Sequence, residues 1–402
     1  MKKRAMALVL LFFLRPWALQ AQQVGTLDTT TFVVIGEGLA AGLADFALRD
    51  VYQKNNFPAL MAKQFDTAFP QPLIQPPGIG SVPGFQELPV AVPGPYQTSV
   101  RTPFPPPIFV FNLAVPGHHL TDALNLRPTP PLVQQNNAKQ TVTNVILGHP
   151  AMILGTDNPL WSQVEYAVQM FPTLVLVELG YTEVLEAAVK GDANLMPDQA
   201  AFRSNYAKAL SALQPTFATV IATTIPDPFD TAYWSTPAVA SQLSYIPADA
   251  IISKYGLKDG DLLSPSAVHA IGAGVAALPA GSVISAANAA AVSARVRGLN
   301  SEITGAAQQA GAILYDLNAL FARIRASGVN AGDLKLTAHY LGGIYSLSGS
   351  YPGWTGHALI ANDILALLNQ KFGTSFAAID LSEVAPKDPA VRFRPAFQEV
   401  NR

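Results

Sequence analysis

Three histidines and one serine are the side chains of this sequence best suited to acid–base chemistry. His118 and His119 follow Gly117 directly, and His357 follows Ser350 in the next stretch of chain. A histidine within hydrogen-bond reach of a hydroxyl can take its proton and activate a serine or a water molecule as a nucleophile. A histidine near a turn or a helix start is more often a capping, packing or loop residue. Both interpretations stay open at the level of sequence.

Two glutamates, Glu37 and Glu183, follow predicted strands. Together with His118 and His119 they would offer oxygen and nitrogen ligands to a metal ion if the fold brought them together. No tight ligand spacing such as His-x-x-x-His is present, and such spacing is the usual signal of a metal site. We therefore predict no metal site and no cofactor, and we interpret both glutamates as residues that orient loops at strand ends.

The elements that would position these residues are predicted from hydrophobic patterning. Apolar runs without alternation are typical of buried parallel strands, and they occupy 31–35, 108–113, 173–179, 218–224 and 311–317. Helical spacing covers 39–48, 161–170, 200–213, Ala286–Ala310 and 356–372. Strands that alternate with helices predict an α/β fold with a mostly parallel sheet.

Four short segments stand at the ends of these strands or at the start of the last helix. They are Val33-Val-Ile-Gly-Glu-Gly-Leu-Ala-Ala-Gly42, Asn112-Leu-Ala-Val-Pro-Gly117, Leu176-Val-Glu-Leu-Gly-Tyr-Thr-Glu-Val-Leu185 and Ser346-Leu-Ser-Gly-Ser-Tyr-Pro-Gly-Trp-Thr-Gly-His-Ala-Leu-Ile-Ala361. In this order the chain resembles the SGNH/GDSL hydrolases, a family of ester hydrolases. The resemblance implies a three-layer α/β/α sandwich that is flavodoxin-like in its arrangement.

The resemblance also assigns catalytic positions, and none of them keeps the residue that the family uses. The nucleophilic serine, the orienting aspartate and the basic histidine correspond here to Gly38, Ser348 and Tyr351. Glycine offers no nucleophile, serine carries no charge to hold an imidazolium, and a tyrosine with an ordinary pKa near 10 is a poor base at neutral pH. We predict that the usual triad chemistry is lost.

The oxyanion-hole positions implied by the resemblance are Gly38, Gly117 and Thr182. The two glycines keep their backbone amides, and the threonine hydroxyl is a shorter donor than the family's asparagine. Two functions follow. One is a non-catalytic protein that binds a small acyl or glycan ester, or a protein, in the former substrate cleft; the other is an active ester hydrolase with relocated residues taken from His357, His118, His119 and Ser350.

The segment Gly36-Glu-Gly-Leu-Ala-Ala41 also matches the Gly-x-Gly-x-x-Ala fingerprint of dinucleotide-binding domains, which suggests nucleotide binding as an alternative. That fingerprint needs a second strand ending in an acidic residue about 20 positions later. The chain instead runs through Gln53-Lys-Asn-Asn-Phe-Pro-Ala59 into a proline-rich stretch. We disfavour this alternative.

Composition sets the remaining expectations. The 402 residues are 50% hydrophobic and 13% charged with a formal net charge of −2, which predicts a globular protein with no nucleic-acid partner. Lys2, Lys3 and Arg4 precede the apolar run 6–14, so we expect a signal peptide at 1–21, no membrane span, and a periplasmic or extracellular location. The absence of cysteine excludes disulfides. We predict one domain over 22–379, a proline-rich insertion at 58–107 and a C-terminal tail at 380–402.

Overall fold

A computed structural model describes residues 27–85, 101, 107–134, 136–150, 155 and 160–395. The expected signal peptide at 1–21 lies outside these residues. Within them, no helix combines the length and the apolar character needed to cross a membrane. The strands are β1 (Phe32–Gly36), β2 (Leu43–Ala44), β3 (Ala47–Leu48), β4 (Leu174–Glu178), β5 (Thr219–Thr223), β6 (Leu262–Leu263), β7 (Val283–Ile284), β8 (Ile313–Tyr315), β9 (Val329–Ala331) and β10 (Leu334–Leu336).

Helices surround these strands along the whole described chain. Their bounds are Gly38–Ala41, Asp50–Gln53, Phe57–Phe65, Leu120–Asn125, Ala138–Leu147, Gln163–Gln169, Tyr181–Lys190, Gln199–Leu213, Pro237–Ser244, Ala248–Tyr255, Pro265–Gly272, Ala286–Ala310, Leu317–Ser327, Trp354–Phe372, Leu381–Val384 and Pro389–Arg392.

The central sheet has the order β1-β4-β5-β8, and all of its pairings are parallel. The pairing of β1 with β4 runs from Phe32 opposite Leu174 to Gly36 opposite Glu178. Both strands are buried along their full length, because their continuous apolar runs face helices on either side. The predicted α/β fold with a mostly parallel sheet is confirmed, and the carboxyl ends of β1 and β4 lie side by side.

Two predicted elements differ from the structure. The segment 108–113 forms only a single parallel bridge, between Val34 and Asn112, because Phe111 turns its amide to the carbonyl of Pro70. The helix expected over 39–48 ends at Ala41, since Gly42 adopts a left-handed φ of 83°. The chain then forms the β2–β3 hairpin, in which Leu43 pairs with Leu48.

The proline-rich segment 58–107 is ordered where the structure describes it. It begins inside the Phe57–Phe65 helix, which tolerates Pro58 in its first turn and is capped by the Asn56 side chain. Phe69 stacks on Phe32 with ring centroids 5.2 Å apart, and Ile74 is fully buried. Phe69 and Ile74 of this segment therefore pack against the body of the fold.

The stretch after Asp380 packs in regular structure as far as residue 395, with helices at Leu381–Val384 and Pro389–Arg392. Asp388 is fully buried and accepts hydrogen bonds from the amide and hydroxyl of Thr355, at 2.7 and 2.8 Å. Pro389 stands in the first turn of the Pro389–Arg392 helix, where proline is well tolerated. Asp388 thus hydrogen-bonds this stretch to the beginning of the Trp354–Phe372 helix.

Candidate active site at the carboxyl ends of β1 and β4

Backbone contacts bring three of the four segments together at one edge of the sheet. Val115 donates its amide to the carbonyl of Gly36 at 3.0 Å. The Glu37 carboxylate accepts the amides of Gly180 and Thr182 at 2.5 and 2.6 Å. The residue before Gly38 therefore holds the loop that follows β4.

Three carboxyl groups are buried beneath this edge: Glu37, Glu178 and Glu183. Burial raises the pKa of Glu37 well above its usual range, and the neighbouring Glu183 and Glu178 raise it further. Burial likewise raises the pKa of Glu178 to about 8 and raises the pKa of Glu183. Desolvation disfavours the charged form of each of these carboxyls.

Tyr351 occupies the space in front of Gly38. A Cβ atom placed on Gly38 would lie 2.7 Å from both Oη and Cε1 of Tyr351. The phenol ring is buried and makes an edge-to-face contact with Tyr181, with centroids 5.8 Å apart. Burial raises the pKa of the Tyr351 hydroxyl well above its usual range. The two positions expected to carry a nucleophile and a base therefore do meet, but as a glycine covered by an unionised phenol.

Ser348 belongs to a tight turn that precedes Tyr351. Its hydroxyl lies 3.2 Å from the hydroxyl of Ser346, which in turn donates to the carbonyl of Tyr351 at 3.0 Å. Asp45 supports the same turn by accepting the Leu347 amide at 3.1 Å. Ser348 is fully buried in this network, which is the arrangement of a structural turn.

The three oxyanion-hole positions keep unused donors. Within the described chain, the amides of Gly38 and Gly117 donate to no other group. The Thr182 hydroxyl lies near enough to Glu37 to favour its charged form, yet it finds no partner with hydrogen-bond geometry among the described residues. Of the three positions, Gly117 and Thr182 line the cavity described next, where they can contact a bound molecule.

A cavity of about 330 Å³ opens beside Gly117 and Thr182. Its walls come from the proline-rich segment, from the turn at Gly117 and from two helices, with Tyr351 also exposed to it. The lining residues are Gly80, Ser81, Pro83, Gly84, Pro116, Gly117, Ala138, Lys139, Val142, Thr182, Glu186, Val189, Lys190 and Tyr351. Part of the proline-rich segment therefore forms one wall of the cleft, which the sequence left open.

Both ring nitrogens of His118 take part in a buried chain of hydrogen bonds. Gln163 accepts the Gly36 amide at 3.1 Å and approaches His118 Nδ1 at 2.8 Å through Nε2. The other ring nitrogen, Nε2, lies 2.7 Å from the Thr143 hydroxyl. Burial lowers the pKa of His118 to about 3, so the ring is a neutral link between the end of β1 and the Ala138–Leu147 helix.

His119 lies at the edge of the cleft. Its Nε2 is 3.2 Å from Glu186 Oε2, and this contact raises the pKa of His119. Glu186 lines the cavity. An imidazole and a carboxylate thus form a half-exposed pair beside the unused donors.

His357 and Ser350 are buried away from such partners. His357 stacks on Phe57, and neither of its ring nitrogens has a hydrogen-bond partner within the described ranges. Burial lowers its pKa to about 3. The Ser350 hydroxyl is likewise buried and unpartnered, while its carbonyl accepts the Tyr181 hydroxyl at 2.9 Å. The structure does not bring these two residues together as a hydrogen-bonded pair.

Gln163 and Glu178 matter to this edge and were missed by sequence reasoning. Gln163 reaches Gly36 across 127 residues of sequence, and no local pattern announces such a contact. Glu178 could have been noticed as an acidic residue that ends an otherwise apolar strand. Its Oε2 accepts the amides of Glu37 and Ala40, both at 3.1 Å. A phosphate bound at the Gly36–Ala41 fingerprint would need the amides of Glu37 and Ala40. Because Glu178 already accepts both amides, they are not free to bind a phosphate.

No group of three or more histidine, aspartate or glutamate residues suited to a metal ion occurs among the described residues. Comparison with family models and with curated proteins finds no match for the chain.

Solved structures give weak likenesses. The chain is similar to an α/β-hydrolase enzyme from the metagenome of Lake Arreo, Spain, at 12% identity and a TM-score of 0.37, covering 85% of this chain and 95% of that one. It is also similar to a psychrotrophic esterase from Pseudoalteromonas sp., at 11% identity and a TM-score of 0.36, covering 86% of this chain and 100% of that one. An extracellular lipase from Streptomyces rimosus is similar at 14% identity and a TM-score of 0.35, covering 83% of this chain and 98% of that one.

Proposed function

We propose that this chain is an exported protein of the SGNH/GDSL hydrolase type that binds a small acyl or glycan ester in its cleft without hydrolysing it. The observation that carries the proposal is the position of Tyr351, whose ring fills the space that a nucleophilic side chain at position 38 would need. The nucleophile is therefore absent, and its place is occupied.

The base and the orienting acid are missing as well. A phenol whose pKa is raised by burial does not accept a proton at neutral pH. Ser348 contacts the Ser346 hydroxyl, and its own hydroxyl offers no charge to hold an imidazolium. In a serine hydrolase, removal of the triad costs on the order of a million-fold in turnover, so we expect no measurable esterase activity.

Binding is supported by what the cleft retains. The Gly117 amide and the Thr182 hydroxyl are unpaired donors beside a cavity of about 330 Å³, which lies in the size range of small-molecule sites. Such donors suit a carbonyl oxygen. Apolar wall residues, among them Pro83, Val142 and Val189, suit the body of an acyl group.

A second candidate function is ester hydrolysis with a relocated base. The observation that favours it is the pair formed by His119 and Glu186 at the edge of the cleft. A carboxylate that orients an imidazole is the supporting half of a catalytic triad. In this case a hydroxyl or a water molecule in the cleft would be the nucleophile.

The deciding experiment combines a fluorophosphonate probe with a chromogenic short-chain ester. It compares the natural chain with a triple variant carrying Gly38→Ser, Ser348→Asp and Tyr351→His. A matched control carries Gly38→Ala with the same other two changes, so that only the nucleophilic oxygen is absent. We expect labelling and turnover in the triple variant alone. Turnover by the natural chain that His119→Gln abolishes would instead establish the second candidate.

Export is the remaining part of the proposal, supported by the basic and apolar residues of 1–21. Expression in a bacterium followed by cell fractionation and sequencing of the mature amino terminus tests it. A protein retained in the cytoplasm with its amino terminus uncleaved would contradict export.

A further inference from the structure

Arg101 is a buried cation without a partner. Its backbone forms an antiparallel bridge with Ile74, and the residue is only 5% exposed. The nitrogens Nε, Nη1 and Nη2 all lack a hydrogen-bond partner in the part of the chain that the structure describes. A guanidinium carries five N–H donors and no acceptor, so the whole donor set of this side chain is unused.

The charge of Arg101 is not balanced by an acid of the described chain. Burial lowers the pKa of Arg101 to about 10, which still leaves the group protonated at neutral pH. The other group that influences it is the Tyr166 hydroxyl, and no carboxylate contributes. Buried charges in proteins are normally paired, because an unpaired charge is strongly disfavoured in an apolar environment. The arrangement calls for an anion.

The two polar groups near Arg101 can also act as donors. The Tyr166 hydroxyl accepts the Val110 amide at 3.4 Å, which leaves its proton free for another group. His149 has a buried Nε2 without a partner among the described residues. Burial and the charge of Arg101 lower the pKa of His149 to about 4. Its ring is therefore neutral at pH 7 and can present an N–H at Nε2.

We propose that Arg101 is the centre of a binding site for an oxyanion, namely a phosphate, sulfate or carboxylate group, with His149 and Tyr166 as the neighbouring polar groups. The guanidinium provides the charge and a planar fork that can bind two oxygens at once. The phenol and the imidazole supply single donors beside it. None of the three residues lines the cavity next to Gly117, so this site is separate from the cleft and does not depend on its proposed function.

Thermal unfolding and calorimetry of the full chain test the proposal. Inorganic phosphate, sulfate and acetate are titrated separately, with sodium chloride keeping the ionic strength constant. An anion that binds the folded state raises the Tm in a saturating manner. We expect a rise of several degrees with at least one of the three anions, together with a matching binding isotherm. Phosphate and sulfate acting without acetate would identify a tetrahedral group.

Arg101→Met is the decisive variant, with Arg127→Met as its control, since Arg127 is exposed and already paired with Glu165. Arg101→Met should lose the anion response without lowering the Tm of the anion-free protein, because it removes an unpaired buried charge. Arg127→Met should retain the response. Tyr166→Phe, which removes one donor and keeps the ring, should weaken anion binding several-fold and provides a second test if Arg101→Met does not fold.

Two results would overturn the proposal. One is the absence of any saturating response of the natural chain to the three anions. The other is an Arg101→Met variant that loses stability equally with and without anion, as expected if a carboxylate of the chain itself pairs with the guanidinium.

Discussion

Gly38 and Tyr351 fit each other as a pair: a Cβ on Gly38 would lie 2.7 Å from the phenol oxygen. A real Cβ does not approach another atom this closely, so the two residues depend on each other. The ring cannot easily move aside, because it is buried and packed against Tyr181. Restoring a serine at position 38 alone would therefore not restore a nucleophile in a usable position.

Gly38→Ala should destabilise the natural chain by about 1–3 kcal/mol, the usual cost of overpacking a buried site. The same change in a Tyr351→His background should cost less, because the smaller ring leaves room for the methyl group. Urea unfolding of the four proteins of this double-mutant cycle measures the coupling.

Gly305→Ala is the matched control, since Gly305 lies in the Ala286–Ala310 helix with nothing within 4 Å of an added Cβ. It should be neutral or stabilising by up to about 1 kcal/mol. A Gly38→Ala variant as stable as the natural chain would show that Tyr351 yields readily, and it would remove the main support for an occupied nucleophile position.

Hydrophobic patterning was sufficient to predict the central sheet. The strands β4, β5 and β8 each lie inside a predicted apolar run, and β1 extends one residue beyond its run, to Gly36, because a strand buried on both faces cannot alternate. This rule failed at 108–113, which forms a single bridge, and helical spacing failed at 39–48, where the apolar residues are equally buried but Gly42 ends the helix. Burial alone does not distinguish a helix from a hairpin, and the left-handed glycine was the missing signal.

Less of the candidate site was predictable. The positions of Gly38 and Tyr351 came from a resemblance of motifs, and the structure places them in contact. The histidines were not separable by sequence, because their roles depend on partners distant in the chain: Gln163 for His118, and Glu186 for His119. The expected export and the domain bounds stay predictions.

The stability of the folded chain should fall in acid because of its buried histidines. Burial lowers the pKa of His357 to about 3, below the value of about 6.5 in an unfolded chain. The neutral ring therefore stabilises the fold fully above pH 6.5, and this contribution is lost as the pH falls towards 3. His357→Phe should make the loss shallower by roughly 1.4 kcal/mol per pH unit between pH 6 and 4.

Urea unfolding at several pH values measures this slope, with the exposed His269→Gln as the control. His118, whose pKa is also lowered to about 3 by burial, should keep a residual slope in the His357→Phe protein. An unchanged slope in His357→Phe would mean that His357 accepts a proton in the folded state without penalty.

Glu178 should change the pH dependence of stability in the opposite direction to His357. Burial raises its pKa to about 8, above the value of about 4.3 in an unfolded chain. The protonated carboxyl thus favours the fold at low pH, and this contribution is lost as the pH rises from about 4.3 towards 8. Glu178→Gln keeps an oxygen for the amides of Glu37 and Ala40 but does not ionise.

Between pH 5 and 8 the free energy of unfolding of Glu178→Gln should therefore decline less steeply than that of the natural chain, by an amount of order 1 kcal/mol per pH unit. Denaturant unfolding at fixed salt across this range gives the comparison. Glu383→Gln, at an exposed position, should leave the slope unchanged. Parallel curves for Glu178→Gln and the natural chain would contradict a protonated carboxyl at this position.

Asp388 connects the last described stretch to the Trp354–Phe372 helix, and its loss should destabilise the fold. The carboxylate accepts the amide and hydroxyl of Thr355 and the amide of Ala390, and it is fully buried. Asp388→Ala leaves these donors unpaired, which should cost about 2–4 kcal/mol. Asp380→Ala removes an exposed cap of the short Leu381–Val384 helix and should change stability little.

Because the Trp354–Phe372 helix begins directly after the turn that holds Tyr351, Asp388→Ala should also increase hydrogen exchange at residues 346–355. Exchange confined to residues after 380 would instead mean that the stretch unfolds on its own and does not support the cleft.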